Sequence, residues 1–122
     1  MKILIIDKNR HVREFLQREL EKDNHTVLLA ENGKRVRELV NGSNPFDFII
    51  IDPDLADMDY TRLFQIVSER APESIVILHT YQQVNGLDHG NMLRIETIEK
   101  QGNSIDTIKQ FICRAMSNRP VA

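Results

Sequence analysis

Cysteine is nearly absent from this chain: there is one, Cys113, in 122 residues. It can close no internal disulfide and stands in no metal-ligand spacing, which fits a reducing compartment and a small packed residue on a helix. With five glycines and four prolines, the chain has no low-complexity linker and no Gly-rich phosphate cradle. No apolar run approaches the ~18 residues that span a bilayer, and Met1 to Ile6 is too short for the apolar region of a signal peptide. Neither sign of charge dominates, with 16 basic and 18 acidic side chains and a formal net charge of -2. That balance speaks against a nucleic-acid or membrane surface. What remains is an ordinary soluble composition, 41% apolar and 28% charged, expected in the cytoplasm. The length suits one domain, residues 1–122, with a real core.

Strand-like and helix-like segments alternate along the chain, without a solenoid repeat. Lys2 to Ile6 is a first apolar strand. Val12, Phe15, Leu16 and Leu20 recur at helical spacing after it. Asp23-Asn24-His25 is a polar turn, Thr26 to Ala30 a second strand, and Val36, Leu39 and Val40 mark a helix that stops at Asn41-Gly42-Ser43. Phe46 to Ile51 is the third strand. Leu63, Ile66 and Val67 give a helix ending before Pro72, and Ser74 to Leu78 is a β-branched fourth strand. Gly86 and Gly90 make any helix between Gln82 and Met92 short or irregular. Leu93 to Ile98 alternates like an edge strand, Lys100 to Asn103 is a loop, and Ser104 to Met116 is an amphipathic helix that Pro120 cannot extend. Regular βα alternation predicts a parallel sheet with right-handed crossovers and helices on both faces.

Two strands end on carboxylates, Ile6 leading into Asp7 and Ile51 into Asp52. An open α/β sheet places its ligand chemistry at the carboxyl ends of its strands, so neighbouring strands of this kind bring Asp7 and Asp52 together. The plainer alternative is that each Asp only begins a loop or caps the next helix.

The blocks Lys2-Ile3-Leu4-Ile5-Ile6-Asp7-Lys8-Asn9 and Ile49-Ile50-Ile51-Asp52-Pro53-Asp54-Leu55-Ala56-Asp57-Met58-Asp59 resemble the receiver domain of two-component response regulators. The resemblance implies a flavodoxin-like, doubly wound α/β fold, with five parallel strands in the order 2-1-3-4-5 and an acidic pocket at their carboxyl edge. It implies a phosphorelay module and not an enzyme, in which a histidine kinase donates a phosphoryl group to one Asp with Mg2+ assisting. By position Asp52 matches the phosphoacceptor, Asp7 the first residue of the family's acidic pair, and Lys100 its strand-end lysine.

Several positions depart from the pattern. Lys8 replaces the second acidic residue, so a metal site built from Asp7, Asp52 and Asp54 is weak at best, because Mg2+ demands an octahedron of oxygens. Two readings of Lys8 stand side by side. In one its ammonium joins Lys100 in facing Asp7 and Asp52, where at ~4 Å it is worth about 4 kcal/mol against a carboxylate before desolvation. In the other it snorkels into solvent. Asp54 either replaces the lost carboxylate in part or is a solvated loop residue. Ala56 stands where the family usually has Pro, and Tyr60 where it has Gly. The hydroxyl switch position falls on His79, which would accept a phosphoryl group, sense pH or simply pack. Thr80, one residue late, replaces that hydroxyl only if the strand has already broken. The aromatic switch position falls on Thr97, and Gln101 follows Lys100 where the family prefers Pro.

These departures favour an atypical receiver with weak or no Mg2+-dependent phosphorylation that acts through protein contacts, free-standing or as the N-terminal part of a longer regulator. The alternatives are a conventional receiver phosphorylated on Asp52 and, from another class, a flavodoxin-like ligand-binding domain. Against flavin, the first strand leads into Asp7-Lys8-Asn9-Arg10 and not a phosphate loop. The expected partners are a histidine kinase or another signalling protein and a second copy of the chain, meeting the outer face of the last helix and the edge strand near Arg94 and Glu96.

Overall fold

The computed structural model describes residues 1–41, 45–81 and 94–118. Its elements follow the expected alternation: β1 (Lys2–Ile6), α1 (Arg10–Glu21), β2 (Thr26–Ala30), α2 (Gly33–Val40), β3 (Phe48–Ile51), α3 (Tyr60–Arg70), β4 (Ile75–Thr80), β5 (Arg94–Glu99) and α4 (Ser104–Ser117). The strands form one parallel sheet in the order β2-β1-β3-β4-β5, the flavodoxin-like arrangement. α2 stops at its C-cap Asn41, as expected; Gly42, Ser43, the Gln82–Met92 segment, Leu93 and Pro120 lie outside the described residues.

Burial on both faces explains why the strands read as unbroken apolar runs. Successive side chains alternate, so Ile3, Ile5, Phe48, Ile50, Ile75 and Ile77 pack with Leu16 and Leu20 of α1 and Ile108 and Ile112 of α4. Leu4, Ile6, Ile49, Ile51, Val76 and Leu78 pack on the other side with Val36 and Val40 of α2 and Leu63 and Val67 of α3. No helix among the described residues is long and apolar enough to cross a membrane.

Three local expectations change. β4 continues two residues beyond Leu78, with His79 opposite Ile98 and Thr80 opposite Glu99, because β5 is long enough to pair with it. Thr80 therefore points away from the face that His79 occupies and does not take over the missing hydroxyl. In β5 the two isoleucines fall on opposite faces, Ile98 with the α1 and α4 cluster and Ile95 with the other, so its alternation does not mark one buried face. Cys113 is exposed on α4 rather than packed.

Candidate functional site

The register places the two acidic strand ends side by side. Ile6 pairs with Ile51, and the Asp52 N–H donates to the Ile6 carbonyl at 2.8 Å, so Asp7 and Asp52 leave adjacent strands at the same level. Neither caps a helix. Asn9 caps α1, accepting from the N–H groups of His11 and Val12, and Asp59 caps α3, accepting from that of Arg62.

Both carboxylates are held in the same way. Each turns Oδ1 back to the N–H two residues on, from Asn9 to Asp7 at 2.8 Å and from Asp54 to Asp52 at 3.1 Å, a local bond that Asp forms readily. Each offers Oδ2 to one ammonium: Lys100 Nζ lies 2.7 Å from Asp7 and 2.8 Å from Asp52. Lys100 arrives from the sheet edge, its N–H bonded to the Thr80 carbonyl at 3.0 Å. All three residues are buried, at 2%, 6% and 8% exposure for Asp7, Asp52 and Lys100. Burial works against the Lys100 charge, but the hydrogen bonds and attraction of Asp52 and Asp7 outweigh it and leave the pKa above the ordinary lysine value. The Tyr81 ring, itself exposed, has its centroid 5.2 Å from Lys100 Nζ, within cation–π range.

Lys8 is not part of this cluster. It is half exposed and pairs with the equally exposed Asp54 at 2.7 Å; that hydrogen bond and attraction raise its pKa. Of the two readings of Lys8, the solvent-facing one describes its position, and the internal ammonium is Lys100 alone. Asp54 is a solvated loop residue whose carboxylate is spent on Lys8.

His79 lies on the α1 and α4 side of β4, 3% exposed. Its Nε2 is 2.8 Å from Ser104 Oγ, and the Ser104 hydroxyl donates to the Gln101 carbonyl at 2.8 Å. A hydroxyl has one proton to give, so with it spent on Gln101 the ring must donate Nε2–H. Nδ1 is then a buried acceptor without a partner among the described residues. Burial, followed by repulsion from Lys100, brings the His79 pKa down to about 4, so the ring is neutral at physiological pH.

Sequence reasoning brought Asp7, Asp52, Lys100 and His79 to the carboxyl edge and missed three supports. Arg13, buried on α1, donates to the Asp7 carbonyl at 2.7 Å, Ser104 holds His79, and Tyr81 covers Lys100. Only Arg13 had a usable signal, as a basic residue one helical turn past a cap that follows an acidic strand end.

The carboxylates are not arranged in advance for Mg2+. Both carboxylates are committed to Lys100 and to backbone N–H groups, Asp54 is committed to Lys8, and no group of three His, Cys, Asp or Glu among the described residues could hold a metal. An octahedral ion would have to compete with Lys100 and Lys8 for these oxygens.

Comparison with known proteins places this geometry in context. The family model of the response regulator receiver domain matches residues 3–105. Response regulator ArlR of Staphylococcus saprophyticus is 30% identical over 93 residues, covering 73% of this chain and 42% of that protein. The chain thus spans about two-fifths of the length of the curated relatives it matches. Among solved structures, the N-terminal domain of a response regulator/sensory box/GGDEF protein from Carboxydothermus hydrogenoformans superimposes with TM-score 0.80 at 19% identity, covering 96% of this chain and 94% of that one. Response regulator TrrA of Thermotoga maritima, solved with Mg(2+)-BeF, superimposes with TM-score 0.70 at 19% identity, covering 93% and 96%.

Proposed function

This chain belongs to the response regulator receiver domain family, and from that premise we propose that it is an atypical receiver, signalling through protein contacts with weak or no Mg2+-dependent phosphorylation. The observation that carries this reading is the distribution of the two lysines. Lys100 bridges Asp7 and Asp52 from within and offsets one of their two charges, while Lys8, standing where a second carboxylate would be needed, draws Asp54 away from the pocket. The binding of His79 to Ser104 supports the same reading, because a neutral ring with a bare Nδ1 offers a phosphoryl oxygen no proton from that atom.

The partner surface in this proposal is the outer face of α4, where Asp106, Gln110, Arg114 and Met116 are exposed, together with the edge strand near Arg94 and Glu96. A histidine kinase, another signalling protein or a second copy of the chain would meet mixed charges and open strand-edge groups there. Among the described residues Asp52 is the strand-end carboxylate flanked by both Asp7 and Lys100, so any phosphoryl group the domain does accept goes to Asp52.

The test compares the parent, Asp52→Asn and phosphoramidate-treated parent, with and without Mg2+, by intact mass and by sedimentation. The expected result is little or no mass gain and the same self-association in all three samples. Stoichiometric, Mg2+-dependent mass gain that disappears in Asp52→Asn and brings a change in association would establish conventional phosphorylation instead.

A further inference from the structure

The loop from Asp52 to α3 is tied down at both ends. At the near end the Asp54 N–H donates to Asp52 and the Asp54 carboxylate pairs with Lys8. Leu55, next in the chain, is buried and its N–H bonds to the Pro53 carbonyl at 3.0 Å. At the far end Asp57 reaches a different element. Its Oδ1 accepts the Gly33 N–H at 2.8 Å and its Oδ2 the Lys34 N–H at 3.1 Å.

These are free donors of the first turn of α2, and the helix's own cap, Asn32, takes the next one, from Arg35. An anion there is favoured by the helix dipole and by two charge-assisted bonds. The Gly33 N–H bond, ahead of that from Lys34, holds the Asp57 pKa below its ordinary value. A second contact sits beside the first: a Cβ on Gly33 would lie 2.6 Å from Met58 Cε and 2.9 Å from Met58 Cβ and Sδ. Met58 therefore rests directly on the bare backbone at the start of α2.

We infer that Asp57 is a positioning residue for Asp52: clasped to α2 together with Met58, it holds the loop so that the Asp54 N–H stays on Asp52 and the Asp54 carboxylate stays on Lys8. Two residues separate Asp57 from Asp54, and one of them, Leu55, is anchored in the core. A displacement at the clasp is thus carried to Asp54 over a short, constrained span. This inference rests on the proposed role of Asp52. Its test uses neither a phosphodonor nor a partner, so its failure leaves the proposed function standing.

The experiment is amide hydrogen exchange and carboxyl 13C NMR on the full chain and on Asp57→Ala, Asp57→Asn and Gly33→Ala. Asp57→Ala removes both acceptors and is expected to lower protection of the Gly33 and Lys34 amides at least tenfold, roughly the loss of one charge-assisted hydrogen bond. Protection of the Asp54 amide should fall with them, and the Asp52 carboxyl resonance should shift. Asp57→Asn keeps one acceptor and should lie between parent and Ala. Gly33→Ala leaves the Asp57 carboxylate in place but displaces Met58, and should reproduce the changes at Asp54 and Asp52. Loss of protection at Gly33 and Lys34 with Asp54 and Asp52 unchanged would make Asp57 a cap of α2 and nothing more, overturning the inference. If Asp57→Ala does not fold, Asp57→Asn and Gly33→Ala decide the matter by the same readings.

Discussion

Replacing Lys100 with Met isolates the electrostatics of the acidic cluster. In the parent, one ammonium lies 2.7 and 2.8 Å from two carboxylates, and all three groups are buried. Lys100→Met keeps the bulk of the side chain and leaves two like charges next to each other without a cation. Removing one partner from a buried ion pair costs about 3–5 kcal/mol, a large part of the roughly 5–15 kcal/mol that holds a domain together. At pH 7 the urea midpoint should fall by at least about 1 M, taking a slope of up to ~3 kcal/mol/M. The triple variant Lys100→Met, Asp7→Asn, Asp52→Asn removes every charge of the cluster. Each Asn still offers a carbonyl oxygen to the N–H two residues on, and most of the stability should return.

The pH dependence has a definite sign. Lys100 has a raised pKa in the fold, so its contribution is fully present below the ordinary value of 10.5 and is lost as pH rises through the higher folded value. The gap between parent and Lys100→Met should therefore not be changed by Lys100 titration near neutrality and should close as pH rises into the alkaline range. A Lys100→Met protein with the parent's midpoint at pH 7, or a triple variant no more stable than the single one, would refute the reasoning.

His79 should make the fold acid-sensitive: with its pKa down at about 4 in the fold against 6.5 in the unfolded chain, stability present above pH 6.5 is lost as pH falls toward 4, by about 2 kcal/mol between pH 7 and 5. Urea unfolding at the two pH values should show His79→Gln losing most of that difference. Lys8→Asp should supply the missing carboxylate and free Asp54, so that Mg2+ raises the melting temperature of the variant and not of the parent. Stabilisation approaching about 2.7 kcal/mol at a hundredfold excess over Kd is the expected scale, and a variant that ignores Mg2+ would place Lys8 outside any metal site. Asn9→Ala should cost about 1 kcal/mol by leaving the first N–H groups of α1 uncapped, measured by urea unfolding, with the Lys100 bridge intact by NMR.

The alternation of strands and helices, the strand ends at Asp7 and Asp52 and the match of Lys100 to a strand-end lysine were all readable in the sequence. The match of Lys100 came from the family resemblance; the rest came from local quantities: apolar runs buried on two faces, helical spacing of Val36 and Val40 or Leu63 and Val67, and a carboxylate directly after an isoleucine run. Once β1 and β3 are neighbours, the register alone puts Asp7 beside Asp52. The destinations of long or rotatable side chains were not readable, because they depend on which elements come close in space. Lys8 has two acidic neighbours within reach in principle, and the path of the loop after Asp52 decided for Asp54. Whether β4 ended at Leu78 or ran on through His79 depended on the length of β5 beside it, and that pairing turned Thr80 to the other face. His79 found its partner in Ser104, 25 residues away, and Asp57 found Gly33 at a separation of 24. Such bonds join residues with no periodic relation along the chain, and only the packing of α2 and α4 against the sheet brings them within reach.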